Sequence, residues 1–459
     1  MVAERRRDRD IQDSVLRGFV LPPSVATLAF AAGILGLFYL DRDKETRVSR
    51  ALWIPTFWML IAGSRMISEW RVATEIDSPD QYFEGSPVDR LVLAALLAAG
   101  LAVLIVRGRS AQAFLRRNLP ILLFFAYCAA SIVWSDYTAV AFKRWTKALG
   151  DLVMVMVVLT DPDPFAAIRR LFARTAFALI PISVLLVKYY PDLGRGYDPW
   201  TWTPYYGGVA IGKNSLGYVC LVFGLASLWR FLTAFHSGPR RSLIAHGVVV
   251  TMALWLFWIA NSATSLGCFI LGSALLVLTT MPAFARTART PHVLTASIAV
   301  CAFIIVLLDA GNVFVQAMGR DTTLTGRTEL WDRLLQMRVE PFFGAGFESF
   351  WLGDRVEKLW SVYWWHPRQA HNGYLETFLN LGLVGLGLIG YLMAAGYRNA
   401  TAAFRSNPAS GSLGLTFLVV ALAYNLTEAA FKTMHPIWIA LLLATALPVM
   451  SRRRQAAAA

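Results

Sequence analysis

The feature that most limits what this chain can fold into is the recurrence of apolar runs of about 17 to 22 residues, each long enough to cross a hydrocarbon core of roughly 30 Å as a helix. They lie near 24–40, 51–67, 88–106, 119–134, 147–160, 174–190, 214–232, 244–260, 264–281, 293–309, 373–395, 412–428 and 437–450. Lipid offers no partner to a backbone N–H or C=O, so such a chain must cross as helices. Hydrophobic residues make up 56% of the 459, mean hydropathy is +0.51, and charge is kept apart from the apolar runs. The expected fold class is therefore all-α: a polytopic helical membrane protein of about 12 transmembrane helices. Residues 1–459 are read as one integral membrane domain, with 310–372 as a large outward loop inside it.

The net charge of +14 does not point to nucleic acid, because the basic residues sit in short clusters between apolar runs. These are Arg107, Arg109, Arg116 and Arg117, then Arg169, Arg170 and Arg174, then Arg240 and Arg241, Arg286 and Arg289, Arg398 and Arg405, and Arg452 to Arg454. From the third run onward every second connection is basic, the pattern that marks a cytoplasmic side. The alternate connections, about 68–87, 135–146, 191–213, 261–263, 310–372 and 429–436, then face outward. Strict alternation also puts the N-terminus outside despite Arg5, Arg6 and Arg7, so the first run fits worst. The 135–146 connection brings Lys143, Arg144 and Lys147 to the outer side and is expected to lie as an amphipathic segment in the interface. Cys128, Cys220, Cys268 and Cys301 fall inside apolar runs without C-x-x-C spacing and read as small core residues. The acidic residues among the early arginines, with no small-residue cleavage site after the first run, argue against a cleaved leader.

Only 310–372 has room for a site among the outward loops, with 191–213 as its partner. Its arginines and lysines balance its acids, so anion recognition must be local, which favours the planar guanidinium. Arg327, in Leu-Thr-Gly-Arg-Thr-Glu-Leu-Trp, opens an amphipathic helix whose stripe is Leu330, Trp331, Leu334 and Leu335. It can clamp a phosphate beside free N–H groups, or simply pair with Glu329 or Asp332. Arg320, Arg195 and Lys213 are further candidates for binding an anionic substrate; Lys213, at the start of a span, can equally snorkel to head groups. Trp365, with Trp351, Trp360, Tyr363 and Trp364, offers faces for stacking on sugars, though an interfacial belt looks the same. His371 and Asn372 stand where the polar loop meets an apolar helix. There an imidazole can exchange a proton near neutral pH, and an Asn can cap. Glu428 and His435 read as a second polar site. No clustered Asp-x-Asp marks a metal–nucleotide site, and no phosphate-loop or dinucleotide glycine pattern follows a strand, so neither a nucleotide donor nor a metal or cofactor is expected.

At these residues the chain resembles the O-antigen ligase and polymerase superfamily, and within it the exopolysaccharide production proteins related to the succinoglycan polymerase. The ligase signature runs His, then Asn, Ser or Gln, nine residues, Gly, two residues, then Gly, Thr or Tyr. His371, Asn372, Gly382 and Gly385 satisfy it. Gly-Ser-Arg-Met-Ile-Ser-Glu-Trp at 63–70, Glu-Gly-Ser-Pro-Val-Asp-Arg at 84–90, Gly-Lys-Asn-Ser-Leu-Gly at 212–217, Ser-Ala-Thr-Ser-Leu at 262–266 and Thr-Gly-Arg-Thr at 325–328 look like the exopolysaccharide branch. The family's Arg-x10-Gly pattern is one residue out, because Arg195 is followed by Gly207. The resemblance implies a metal-independent, inverting glycosyltransferase of GT-C type in a bacterial inner membrane, with its site facing the periplasm. Its donor would be a polyprenyl diphosphate-linked oligosaccharide and its acceptor a growing polysaccharide, with a chain-length regulator protein as a further partner. His371 would accept the acceptor's proton, while Arg327, with Arg195 or Lys213, holds the diphosphate. A ligase delivering glycan to lipid A–core shares the donor; a flippase or transporter is the reading from another class.

Overall fold

The computed structural model describes residues 21–43, 46, 48–70, 86–197, 203–281, 323–337 and 339–447. Among these, seven helices are long and apolar enough to cross a membrane: Pro23–Leu40, Pro87–Val106, Pro164–Tyr189, Lys213–Ser237, Arg240–Ala260, Ala263–Thr280 and Gly373–Ser406. Gly108–Arg117 and Leu119–Ala130, bent by 88° at their junction, make an eighth if they form one broken span. The only strands among the described residues are β1, Arg195–Tyr197, and β2, Pro204–Tyr206, an antiparallel pair with Arg195 opposite Tyr206. The protein is an all-α, multi-pass membrane protein.

Seven or eight is fewer than the twelve spans expected. The runs near 51–67, 412–428 and 437–450 yield apolar helices of only 10–17 residues. The run at 147–160 belongs to the Thr138–Leu159 helix, which also carries Lys143, Arg144, Lys147 and Asp151. The interfacial segment expected at 135–146 is thus mostly the first half of a helix that continues inward. The last of these is enclosed by protein: all ten residues of Pro436–Thr445 are buried, so no lipid thickness dictates its length. The run at 293–309 lies outside the described residues.

The helix starts are legible locally. Proline at the first helical position removes an N–H that would have lacked a partner, as at Pro23, Pro87 and Pro164. The Asp163 carboxylate accepts from the Ala166 amide, and the Asn372 side chain accepts from the amides of Tyr374 and Leu375.

Contacts between connections sort the helix ends into two groups. At one end Ser135 bonds Ser349, Arg355 pairs with Asp136, Thr264 meets Thr427, Thr433 donates to Glu348 and Arg65 donates to the carbonyls of Leu193 and Ala210. These are the connections expected to face outward. At the other end Arg107 pairs with Asp161, whose carboxylate also accepts from the Ser49 amide, and Arg170 donates to the Thr46 carbonyl. There, too, Asp41 is gripped by Arg230, Ser242 and His246. The Pro23–Leu40 helix joins the two groups, since Thr27 bonds the Tyr190 hydroxyl near its start and Asp41 follows its last turn. The first run, the poorest fit in the sequence, therefore extends from one end to the other.

The main core runs between the helices, and a second, smaller one lies over the end where the outward connections meet. In it Leu330, Leu334, Phe350, Trp351, Leu359, Tyr363 and Leu379 are buried together. Each such side chain stabilises by about 1.5–3 kcal/mol when fully buried. This small core fixes Thr323–Gln336 and Asp354–Val362 against the start of the Gly373–Ser406 helix, which is what places Arg327 near His371.

Candidate active site

Glu428, in the connection between the Pro408–Tyr424 and Pro436–Thr445 helices, is where the site converges. Its Oε2 lies 3.1 Å from His371 Nδ1, and its Oε1 accepts from Arg327 Nη2 at 3.1 Å and from Asn214 Nδ2 at 3.4 Å. Arg327 Nη1 donates to the Thr427 carbonyl. The Glu428 side chain is 9% exposed, against 21% for His371 and 24% for Arg327. The carboxylate therefore lies beneath, with the imidazole and guanidinium nearer the open side. Burial pushes the Glu428 pKa up, but the hydrogen bond and charge of His371 and the Arg327 guanidinium outweigh it, leaving the group below its ordinary value of 4.5.

A carboxylate is the strongest acceptor around the ring, so Nδ1 carries the proton and donates to Glu428. Nε2 is then the basic nitrogen. Gln369 Nε2 lies 3.3 Å from the same Nδ1, and the Gln369 Oε1 accepts from Lys432 Nζ at 3.2 Å. With Nδ1 protonated this approach of two donors is a contact rather than a hydrogen bond, and the glutamine stands between the ring and an outer lysine.

The local chain explains the spacing of the signature. His371 has φ +52°, left-handed backbone that turns the chain sharply before the helix. Asn372 caps the helix and also donates to the Leu426 carbonyl at 3.1 Å, tying the helix start to the connection that bears Glu428. Gly373 donates its N–H to the Asn425 and Glu428 carbonyls, and a Cβ there would stand 1.9 Å from Asn425 Oδ1. Gly382 breaks the helix at φ +64°, and a Cβ would meet the Phe342 backbone at 2.3 Å. The amides of Leu383 and Val384, released by this break, donate instead to Pro341 and Phe342, while Ala345 and Gly346 donate to Leu379 and Asn380. The 341–346 loop is thereby stitched to the helix that begins at His371.

The remaining sequence candidates fall less centrally. Arg327 does not pair with Glu329 or Asp332; its partner is Glu428, a hundred residues on. Glu428 and His435 do not form a second site: Glu428 belongs to the first, and His435 is buried, its ring 4.3 Å from that of Tyr218 and its Nδ1 accepting from the Ile437 amide. Lys213 is exposed in the first turn of its helix, next to Asn214, and so near the Glu428 cluster. Arg195 does not reach it; its Nε donates to the Val187 carbonyl at 2.9 Å and its guanidinium faces the Tyr206 ring. Trp365 is half-buried against the small core, 5.8 Å from Tyr363. Arg320 lies outside the described residues. Asn214 and Gln369 are the participants that motif reading missed, and Glu428 was noticed only as the partner of His435. An acid at the end of an apolar run was the one available signal. Among the described residues no three His, Cys, Asp or Glu side chains converge.

Fold and site together define a class: a multi-pass helical membrane protein with a histidine, a carboxylate and a guanidinium joined at one end of its bundle. Residues 219–390 match the family model described as O-Antigen ligase, a stretch that holds Arg327, His371, Asn372, Gly382 and Gly385 but stops short of Glu428. The chain is 26% identical over 293 residues to the exopolysaccharide production protein ExoQ of Rhizobium meliloti (strain 1021). That alignment covers 61% of this chain and 64% of the relative, so the chain spans just under two thirds of that protein's length. The resemblance read in the sequence, to the O-antigen ligase and polymerase superfamily and its exopolysaccharide branch, is borne out.

Proposed function

We propose that the chain is a periplasm-facing glycosyltransferase of a bacterial inner membrane that joins oligosaccharide units carried on polyprenyl diphosphate into an exopolysaccharide. The observation that carries this reading is that His371 and Arg327 hold opposite oxygens of one buried carboxylate, Glu428. A carboxylate on Nδ1 fixes the imidazole tautomer and stabilises the imidazolium formed on proton uptake, so Nε2 is the base for an acceptor hydroxyl. That hydroxyl oxygen attacks the anomeric carbon as the bond to the diphosphate oxygen breaks. The proton passes to Nε2 and the electron pair leaves with the diphosphate, inverting the carbon.

Arg327 and Lys213, with the free N–H groups that begin the Lys213–Ser237 helix, provide the positive flank for the leaving diphosphate. The charge stabilisation then comes from the chain's own cations, with no metal required. The exopolysaccharide relative favours a polymerase; the O-Antigen ligase description of the matched segment favours transfer to lipid A–core as the second reading.

Reconstitution into liposomes with lipid-linked repeat unit tests the proposal. Polymer formed by the native chain in excess chelator, with a fall of about 10²–10⁴-fold in His371→Ala, is the expected result. Undiminished turnover in His371→Ala, or loss of turnover under chelation, overturns it. Deleting the gene separates the two acceptors: short unpolymerised glycan marks a polymerase, whereas long chains absent from lipid A–core mark a ligase.

A further inference from the structure

Past Gln369, whose Nε2 lies 3.3 Å from the His371 ring, is a cavity of about 200 Å³ lined by Arg144, Lys147, Arg368 and Lys432 against two acids, Glu348 and Glu376. It is smaller than the ~300 Å³ of a typical ligand pocket, so it has room for one sugar residue rather than an oligosaccharide. Both acids are already engaged. Glu376 accepts from the Trp351 indole, the Ala370 amide at 2.9 Å and Asn380, and Glu348 accepts from Thr433 at 2.9 Å.

Lys147, by contrast, donates no hydrogen bond among the described residues. The Glu348, Asp151 and Asp89 carboxylates act on its ammonium through charge alone, and the Arg144 guanidinium opposes them. Asp151 is held by Trp58 and the Met434 amide, and Asp89 by Ser68. A lysine in a cavity wall without a hydrogen bond is a donor waiting for an acceptor. Phe347, Trp351 and Phe431 add ring faces to the same wall.

The backbone around the cavity is held in an unfavourable form. Glu348 and Met434, like His371, have positive φ, at 46°, 59° and 52°. The Arg144 guanidinium grips the Glu348 carbonyl. Left-handed backbone on ordinary residues persists only where surrounding structure enforces it. The cavity connects to the candidate base through Lys432 and Gln369, the latter touching His371.

We propose that this cavity is the acceptor's subsite and that it takes an acidic sugar, its carboxylate on Lys147 and Lys432 and its ring against Phe347 and Trp351. The inference rests on the glycosyltransferase reading and adds to it the charge of the acceptor. The diphosphate would lie on Arg327 and Lys213 and the acceptor's carboxylate beyond Gln369 on Lys147 and Lys432, so the two anions meet different cations.

The test is calorimetric titration of the full chain in lipid nanodiscs with three probes: a glucuronate-terminated trisaccharide, its glucose-terminated counterpart and inorganic pyrophosphate. The acidic trisaccharide should bind at least tenfold more tightly than the neutral one. That preference should shrink with added salt and be lost in Lys147→Gln and in Lys432→Gln. Lys432 is exposed at the rim, so its variant keeps the test decisive if Lys147→Gln does not fold. Equal binding of the two trisaccharides, or a preference unchanged in Lys432→Gln, overturns the inference. So does dependence on Lys147 shown by pyrophosphate alone, which would assign the cavity to the leaving group. Failure of the glycosyltransferase reading shows separately, as polymer made by His371→Ala.

Discussion

Glu428 joins the two residues the sequence singled out, and its substitutions should separate geometry from charge. Glu428→Gln keeps the shape but removes the negative partner of Nδ1, so turnover should fall by about 10²–10⁴-fold, as for loss of a positioned base, with the fold retained. Arg327→Ala leaves a buried carboxylate short of one cation and should cost about 3–5 kcal/mol of stability. The double variant Arg327→Ala/Glu428→Gln should recover much of that, and thermal unfolding of all three would show the coupling. The sign of the pH effect follows from the lowered Glu428 pKa. Its contribution is complete above the ordinary value of 4.5 and is lost as pH falls from there through the lower folded value. Unfolding temperature should therefore drop below pH 4.5 in the native chain, with that component absent from Glu428→Gln. His371 and Arg327 were legible because a signature and a helix start marked them. The place of Glu428 beside them was not, because only tertiary structure brings 428 to 327, and an acid ending an apolar run looks the same whether it faces lipid head groups or a guanidinium.

At the level of single elements, the Gly373–Ser406 helix shows what spacing can and cannot say. The positions of His371, Asn372 and Gly382 in the sequence state that something is required there, and the structure supplies the reasons: a turn, a cap and a break. Gly382→Ala must place a Cβ against the Phe342 backbone at positive φ. It should destabilise by more than the ~1–3 kcal/mol of backbone strain alone and loosen the 341–346 loop, seen as faster amide exchange at Leu383 and Val384. Helix lengths were less legible. Hydropathy marks where a run is apolar but not whether lipid or protein surrounds it, so Pro436–Thr445, wholly enclosed, could shorten without exposing backbone to lipid. Charges in the Thr138–Leu159 helix misled in the opposite sense, because Arg144 and Lys147 point into a cavity rather than to an interface.

For the whole molecule, the alternation of basic and neutral connections anticipated which helix ends meet. The contacts among 135–136, 349–355, 264, 427 and 433 gather at one end, and Arg107, Asp161, Arg230 and Asp41 at the other. If the proposed orientation holds, a single cysteine at Lys213 on a cysteine-free background should react with a membrane-impermeant maleimide in intact spheroplasts. One at Arg116 should react only after the membrane is opened, and the reverse pattern would place the site in the cytoplasm. The stitching at Gly382 carries a consequence for such experiments and for evolution. Because the helix gives its carbonyls and amides to an incoming loop at that point, the covering of the site and the histidine's own support are mechanically one part. Natural variants that accept a different glycan are then expected to alter side chains around this junction while leaving its backbone path untouched.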